Sequence, residues 1–269
     1  MPKVQVNDIS MYYESHGHGE PMVFIPGFSA DSSLWQGIID YFQKDYQVIL
    51  FDNRGSGQTD IPEGPYSIKQ MASDVAGLCN ALNIDRAHFV GSSMGGYILQ
   101  TLAHEHAKLV KSAVICNSTY ATHTAFHIYV AAQLELMKAN APVETIIKAS
   151  CAWAFSYRFL SEEGALDKLL DFGLSNPNPF TIKGYEGQYA ALDAFDSRAW
   201  LKEINVPTLV IGSDEDLIFN EKSIKYLAEN IPNATYSSFA ECGHLPFLEF
   251  PDNFAEVVKR FLISKDLKD

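Results

Sequence analysis

Cysteine is scarce in this chain. Cys79, Cys116, Cys151 and Cys242 are its four cysteines in 269 residues, far apart and mostly inside apolar runs. That spacing suits neither a disulfide framework nor a metal-ligand cluster, so reduced thiols and no metal site are expected, and no organic cofactor is required. Positive charge is also short, with 20 Lys and Arg against 33 Asp and Glu and a formal net charge of −13. A surface of that sign repels phosphates, which argues against nucleic acid or an anionic membrane as the main partner. No run approaches the roughly 18 apolar residues of a membrane span. Residues Met1 to Ser10 mix charge and polarity where a secretory leader would place a basic stretch and an apolar one, so a cytoplasmic location is expected. What the chain has in quantity is apolar residues, 47% of the total, enough for one large core with an insertion.

Two short alternating runs, Lys3 to Val6 and Ile9 to Glu14, flank Asn7-Asp8 and read as an opening hairpin. Nearly continuous apolar runs follow at Met22 to Ile25, Gln47 to Phe51, His88 to Val90, Ser112 to Ile115 and Thr208 to Ile211. Runs of that kind fit strands covered on both faces. Segments of helical period lie between them, at Ser33 to Phe42, Ile68 to Leu82 and Gly96 to His106. The pattern resumes late in the chain with a helix at Glu221 to Asn230, a strand at Thr235 to Phe239 and a last helix at Asp252 to Ser264. Strand and helix in alternation predict an α/β fold with a mostly parallel sheet. From about Tyr120 to Trp200 the rhythm breaks into a helix-forming, aromatic-rich stretch. Its aromatics are enough to fill a core of its own. An insertion after the fourth parallel strand also lies above the carboxyl ends of the strands, where ligands bind, so Tyr129, Trp153 and Phe155 are candidate pocket walls.

Gly91-Ser92-Ser93-Met94-Gly95 joins a buried strand to a helix, so a serine sits on a tight turn of the nucleophile-elbow kind. Such a turn needs small residues two before and two after the serine. Gly91 and Gly95 stand there around Ser93, whereas Ser92 would have Val90 and Met94. A serine hydroxyl needs a base, and the base needs a carboxylate to orient it. Cys242-Gly243-His244-Leu245-Pro246 follows the penultimate element and puts His244 on a loop at the strand ends. The other histidines lie in an early turn (His16, His18), in the elbow's own strand (His88), at a helix end (His104, His106) or in the insertion (His123, His127). Asp214, Glu215 and Asp216 compete for the acid, and Leu217-Ile218 after Asp216 favour it as the buried one.

The order Ser93, Asp216, His244 is the α/β-hydrolase order. The chain resembles that superfamily over nearly its whole length, and within it the small bacterial esterases and 3-oxoadipate enol-lactonases. Phe24-Ile25-Pro26-Gly27-Phe28 falls where the family places His-Gly-x, and Asp52-Asn53-Arg54-Gly55-Ser56-Gly57-Gln58-Thr59 matches its Asp-x-Arg-Gly-x-Gly-x-Ser turn. His244-Leu245-Pro246 with Glu249, Pro251 and Phe254 resembles its C-terminal signature. The resemblance implies a core of residues 1–118 and 201–269 carrying an α-helical cap at 119–200. It also implies that the backbone N–H groups of Phe28 and Met94 form the oxyanion hole. Pro26 stands where the family has histidine, which removes one support from that loop. Arg54 reads as a structural ion-pair residue.

Hydrolysis of a small carboxylic ester or lactone through an acyl-enzyme on Ser93 is the activity this implies. An aspartate stands at the elbow of haloalkane dehalogenases and epoxide hydrolases, and Ser93 argues against both. A carboxylate-bearing enol-lactone would want a cation in the cap, and Arg158 and Lys148 are the candidates. Two alternatives share the motifs: a cofactor-free haloperoxidase or perhydrolase, and a hydrolase-fold ligand receptor.

Overall fold

The computed structural model describes residues 2–266, and among them eight strands form one sheet in the order β1-β2-β4-β3-β5-β6-β7-β8. β1 (Lys3–Val6) and β2 (Ile9–His16) are an antiparallel hairpin, turned at Asn7 with φ of 49°, and β2 pairs antiparallel with β4 (Tyr46–Phe51). The remaining strands, β3 (Glu20–Ile25), β5 (Ala87–Ser92), β6 (Val110–Cys116), β7 (Thr208–Ser213) and β8 (Ala234–Phe239), run parallel to β4 and to one another. Their carboxyl ends therefore share one rim.

The alternation of side chains along each strand explains the continuous apolar runs. Val23, Ile25, Ile49, Phe51, Phe89, Ala113, Ile115 and Val210 belong to one core. Their neighbours Met22, Phe24, Val48, Leu50, Val90, Val114, Cys116, Leu209 and Ile211 belong to the other. The first core is closed by α2 (Ile68–Ala81), α3 (Met94–Glu105) and α9 (Glu221–Asn230). The second is closed by Trp35, Phe42, α10 (Pro246–Glu249) and α11 (Pro251–Asp266), with Trp35 stacked on Phe247 of α10 at 4.1 Å.

One element departs from its periodicity. Ser33 to Phe42 predicts a single helix, but Ser32–Ile38 is a 3-10 helix and only α1 (Ile39–Phe42) is α-helical. Two serines and Gly37 make this a poor helix former. Trp35, wedged between Phe24 and Phe247, then sets the backbone path.

Between β6 and β7 the chain leaves the sheet for five helices: α4 (Thr124–Lys138), α5 (Val143–Ala154), α6 (Tyr157–Leu160), α7 (Ala165–Ser175) and α8 (Ile182–Asp193). The departing and returning segments are tied by a bridge between Ala121 and Asp196 and by the bond from Ser197 N–H to Tyr120 C=O (2.9 Å). No helix among the described residues is long and apolar enough to cross a membrane.

Candidate active site

Ser93 stands between β5 and α3 with φ of 56° and ψ of −121°, a conformation an L-residue holds only when its surroundings force it. The surroundings are the two glycines. A Cβ on Gly91 would lie 2.4 Å from Gly95 C=O, and one on Gly95 would lie 2.2 Å from Ile25 C=O, both immovable backbone. The main chain of Ser93 is held on three sides, donating to Cys116 C=O (3.0 Å) and accepting from Gly96 N–H (2.9 Å) and the Ser118 hydroxyl (2.8 Å). Ser92 stays inside β5, its hydroxyl buried without a partner.

Asp216 and His244 meet on the same rim. His244 Nδ1 faces Asp216 Oδ2 at 2.8 Å, with both side chains buried. The same Oδ2 accepts from Asn117 Nδ2 (2.9 Å), while Oδ1 accepts from the N–H groups of Ile218 (2.8 Å) and Phe219 (3.0 Å). A carboxylate surrounded by donors accepts the imidazole proton on Nδ1, which leaves Nε2 as a bare acceptor. His244 Nε2 is buried and has no hydrogen-bond partner. The Ser93 hydroxyl therefore does not bond to it in this structure. Asp214 and Glu215 are used elsewhere: Asp214 accepts from Cys242 N–H (3.4 Å) and Glu215 from Tyr157 N–H (2.9 Å).

The loop Pro26-Gly27-Phe28 runs against the serine, and a Cβ on Gly27 would come within 3.2 Å of Ser93 Cβ. The histidine this loop lacks is offset by two amides. Asn53 Nδ2 donates to Pro26 C=O (3.0 Å), and Gln188 Oε1 accepts from Ser29 N–H (3.1 Å). Met94 is the first residue of α3, so its N–H has no acceptor within the helix.

Two further contributors, Asn117 and the Ala154 carbonyl, escape sequence reading, and for a third, Glu249, the C-terminal signature gives the residue without its contacts. Asn117 also donates to Gly243 C=O (3.3 Å), tying the acid to the histidine loop across β6 and β7. The loop is held from the helical layer by the bond from His244 N–H to Ala154 C=O (2.8 Å). Buried Glu249 completes that hold, accepting from Gly243 N–H (2.9 Å), from Ser156 N–H (3.0 Å) and from the Ser156 hydroxyl. Asn117 carries one local cue: an asparagine at positive φ (42°) directly after a buried strand. Arg54 is buried and paired with Asp74 (2.6 Å) and Asp8 (2.9 Å), as a structural ion-pair residue would be.

A cavity of about 400 Å³ lies between the sheet rim and the helical layer; Ser93 and His244 are not in its wall, but Phe28 and Leu245, the chain neighbours of Gly27 and His244, are, as is Ala154, whose C=O holds His244 N–H. Tyr129 and Phe155 line it; Trp153 and Arg158 do not. Ile146, Ile147, Ser150, Cys151 and Ala154 turn one face of α5 to the cavity, and Trp153 stands at the edge of that stripe. Its ring packs on Tyr129 at 5.0 Å from the other side. Arg158 is drawn away by Glu162 (2.6 Å) and Glu249 (3.7 Å) and lies over the Phe250 ring at 4.2 Å.

This fold and rim are those of a hydrolase-type α/β protein, and the chain belongs to the alpha/beta hydrolase fold family, which matches residues 20–251. 3-Oxoadipate enol-lactonase 2 of Acinetobacter baylyi is 30% identical over 94% of this chain and 95% of its own. A protein of Azorhizobium caulinodans, provisionally named carbamate hydrolase RutD, is 28% identical over 97% of this chain and 98% of its own. The crystal structure of the enol-lactonase from Burkholderia xenovorans LB400 superimposes with a TM-score of 0.87 at 28% identity, over 97% of this chain and 100% of that one.

Proposed function

We propose that the chain is a serine hydrolase of carboxylic esters or lactones, in which residues 119–200 cap a core of residues 1–118 and 201–269. The observation that carries this reading is the buried Asp216–His244 pair, whose free Nε2 stands on the rim that presents the strained Ser93 elbow. Ser93 Oγ attacks the carbonyl carbon while His244 Nε2 takes the hydroxyl proton, and the oxyanion forms against the N–H groups of Phe28 and Met94. The C–O bond to the alcohol breaks, and His244 returns the proton to the leaving oxygen. Water then attacks the acyl-enzyme, giving a proton to His244, which passes it to Ser93 Oγ as the bond from Oγ to the acyl carbon breaks and the acid leaves. Asp216 stays ionised throughout and stabilises the imidazolium. The names borne by the relatives support the reaction class, since each denotes cleavage at a carbonyl carbon bearing a heteroatom.

Ser93→Ala is expected to lower kcat on a short p-nitrophenyl ester by on the order of 10⁴-fold or more while the circular dichroism spectrum is kept. Activity within tenfold of wild type would remove Ser93 from the mechanism.

A further inference from the structure

Resting on the serine-hydrolase reading, we infer that the cavity beside the site receives a neutral, apolar part of the substrate and excludes a second carboxylate. The substrate class is thus an ester or lactone of a simple aliphatic or aromatic acid. A lactone of a dicarboxylic acid, such as the relatives' name 3-oxoadipate enol-lactonase denotes, falls outside it. The walls are Tyr129, Ile147, Cys151, Phe155, Phe172 and Phe180, and the volume of about 400 Å³ is within the roughly 300–1,000 Å³ of small-molecule sites.

The charge pattern makes the argument. Among the described residues that line the cavity, none is Lys, Arg or His, and the one charged side chain is Asp31. Asp31 is fixed there, accepting from Ser33 N–H (2.9 Å) and from Asn176 Nδ2 (2.8 Å) across the gap between the sheet side and the helical layer. The cations that the sequence offers are committed elsewhere, Arg158 to Glu162 and Glu249, and Lys148 to Glu144 (2.6 Å). The Tyr129, Ser150 and Tyr185 hydroxyls in the wall bond to one another or to backbone carbonyls, and the buried side-chain atom left without a partner among the described lining residues, Gln133 Oε1, is an acceptor that offers a carboxylate nothing. Tyr129 O–H donates to Ser150 Oγ (2.7 Å), Ser150 to Ile146 C=O (3.0 Å), and Tyr185 O–H to Val130 C=O (3.3 Å). Burial raises the pKa of Tyr129, Tyr185 and Cys151, which keeps all three uncharged near neutral pH. A carboxylate entering this space would lose its water, find no counter-ion and face Asp31. An alkyl or aryl group would lose only water that the apolar walls hold weakly.

The test uses the Ser93→Ala protein, so that binding is read without turnover. Methyl hexanoate and monomethyl adipate have the same chain length and differ by the terminal carboxylate. Calorimetric titration is expected to give the hexanoate a Kd at least tenfold lower. Placing a cation in the wall, by Ile147→Arg or independently by Met137→Lys at another half-buried lining position, is expected to narrow that ratio at least threefold. Equal Kd values, tighter adipate binding, no binding of either ester, or a ratio unmoved in every variant that folds would overturn the inference. The serine-hydrolase reading fails separately, through absence of fluorophosphonate labelling at Ser93 in the wild type, while the Kd ratio still reports on the cavity.

Discussion

Asp216 is used on every side: His244 and Asn117 share one carboxylate oxygen, and the N–H groups of Ile218 and Phe219 share the other. An acid so surrounded holds one orientation, and that orientation sets the tautomer of the imidazole. Asn117→Ala removes one donor from Asp216 and one from Gly243. A hydrogen bond to a charged group is worth about 1.5–3 kcal/mol, so kcat on a p-nitrophenyl ester is expected to fall about tenfold or more with little change in KM. A rise in KM at constant kcat would instead place Asn117 in substrate binding. Ser93, Asp216 and His244, the residues proposed for catalysis, each sit in a short motif of their own that singles them out in the sequence. Asn117 is bound to an aspartate 99 residues away, and no local pattern announces such a partner.

The elbow between β5 and α3 is an element whose sequence rule has a direct spatial cause. Gly95→Ala would put a methyl group 2.2 Å from the Ile25 carbonyl oxygen, so β3 or α3 must move. Overpacking of this kind costs about 1–3 kcal/mol, and Gly95→Ala is expected to lower the urea midpoint accordingly. Gly37→Ala is the control: a Cβ there meets nothing within 4 Å, and its midpoint is expected to stay or rise slightly. Equal losses in both variants would show that the elbow is not tightly packed. Helices and strands with strong periodicity are placed by their own residues. The Ser32–Ile38 segment is not, because the burial of Trp35 between Phe24 and Phe247 outweighs a weak local preference.

For the whole molecule, Cys79, Cys116 and Cys242 report on how completely the two cores close, while Cys151 lines the cavity. Cys79, Cys116, Cys151 and Cys242 are free and buried, and burial pushes the thiols of Cys79 and Cys242 up to about 12 and raises those of Cys116 and Cys151. Protonated, inaccessible thiols are poor nucleophiles. Native protein at pH 8 is expected to react slowly or not at all with a disulfide reagent such as Ellman's, and denatured protein to release four equivalents, one per cysteine. Fast reaction of Cys79, Cys116 or Cys242 in the native state would show that a core opens, and fast reaction of Cys151 that the reagent enters the cavity.

By itself the sequence determined the order of strands and helices, the parallel sheet buried on both faces, and the glycine-framed serine turn. These follow from periodicities of two and 3.6 residues and from steric limits within a few positions. Tertiary structure alone decided which face of α5 meets the cavity, where Arg158 and Lys148 spend their charge, and that Asn117, Gln188 and Glu249 brace the site. Periodicity says which side of an element is apolar. What stands opposite depends on packing between segments a hundred residues apart, and there the charge of a cavity is set.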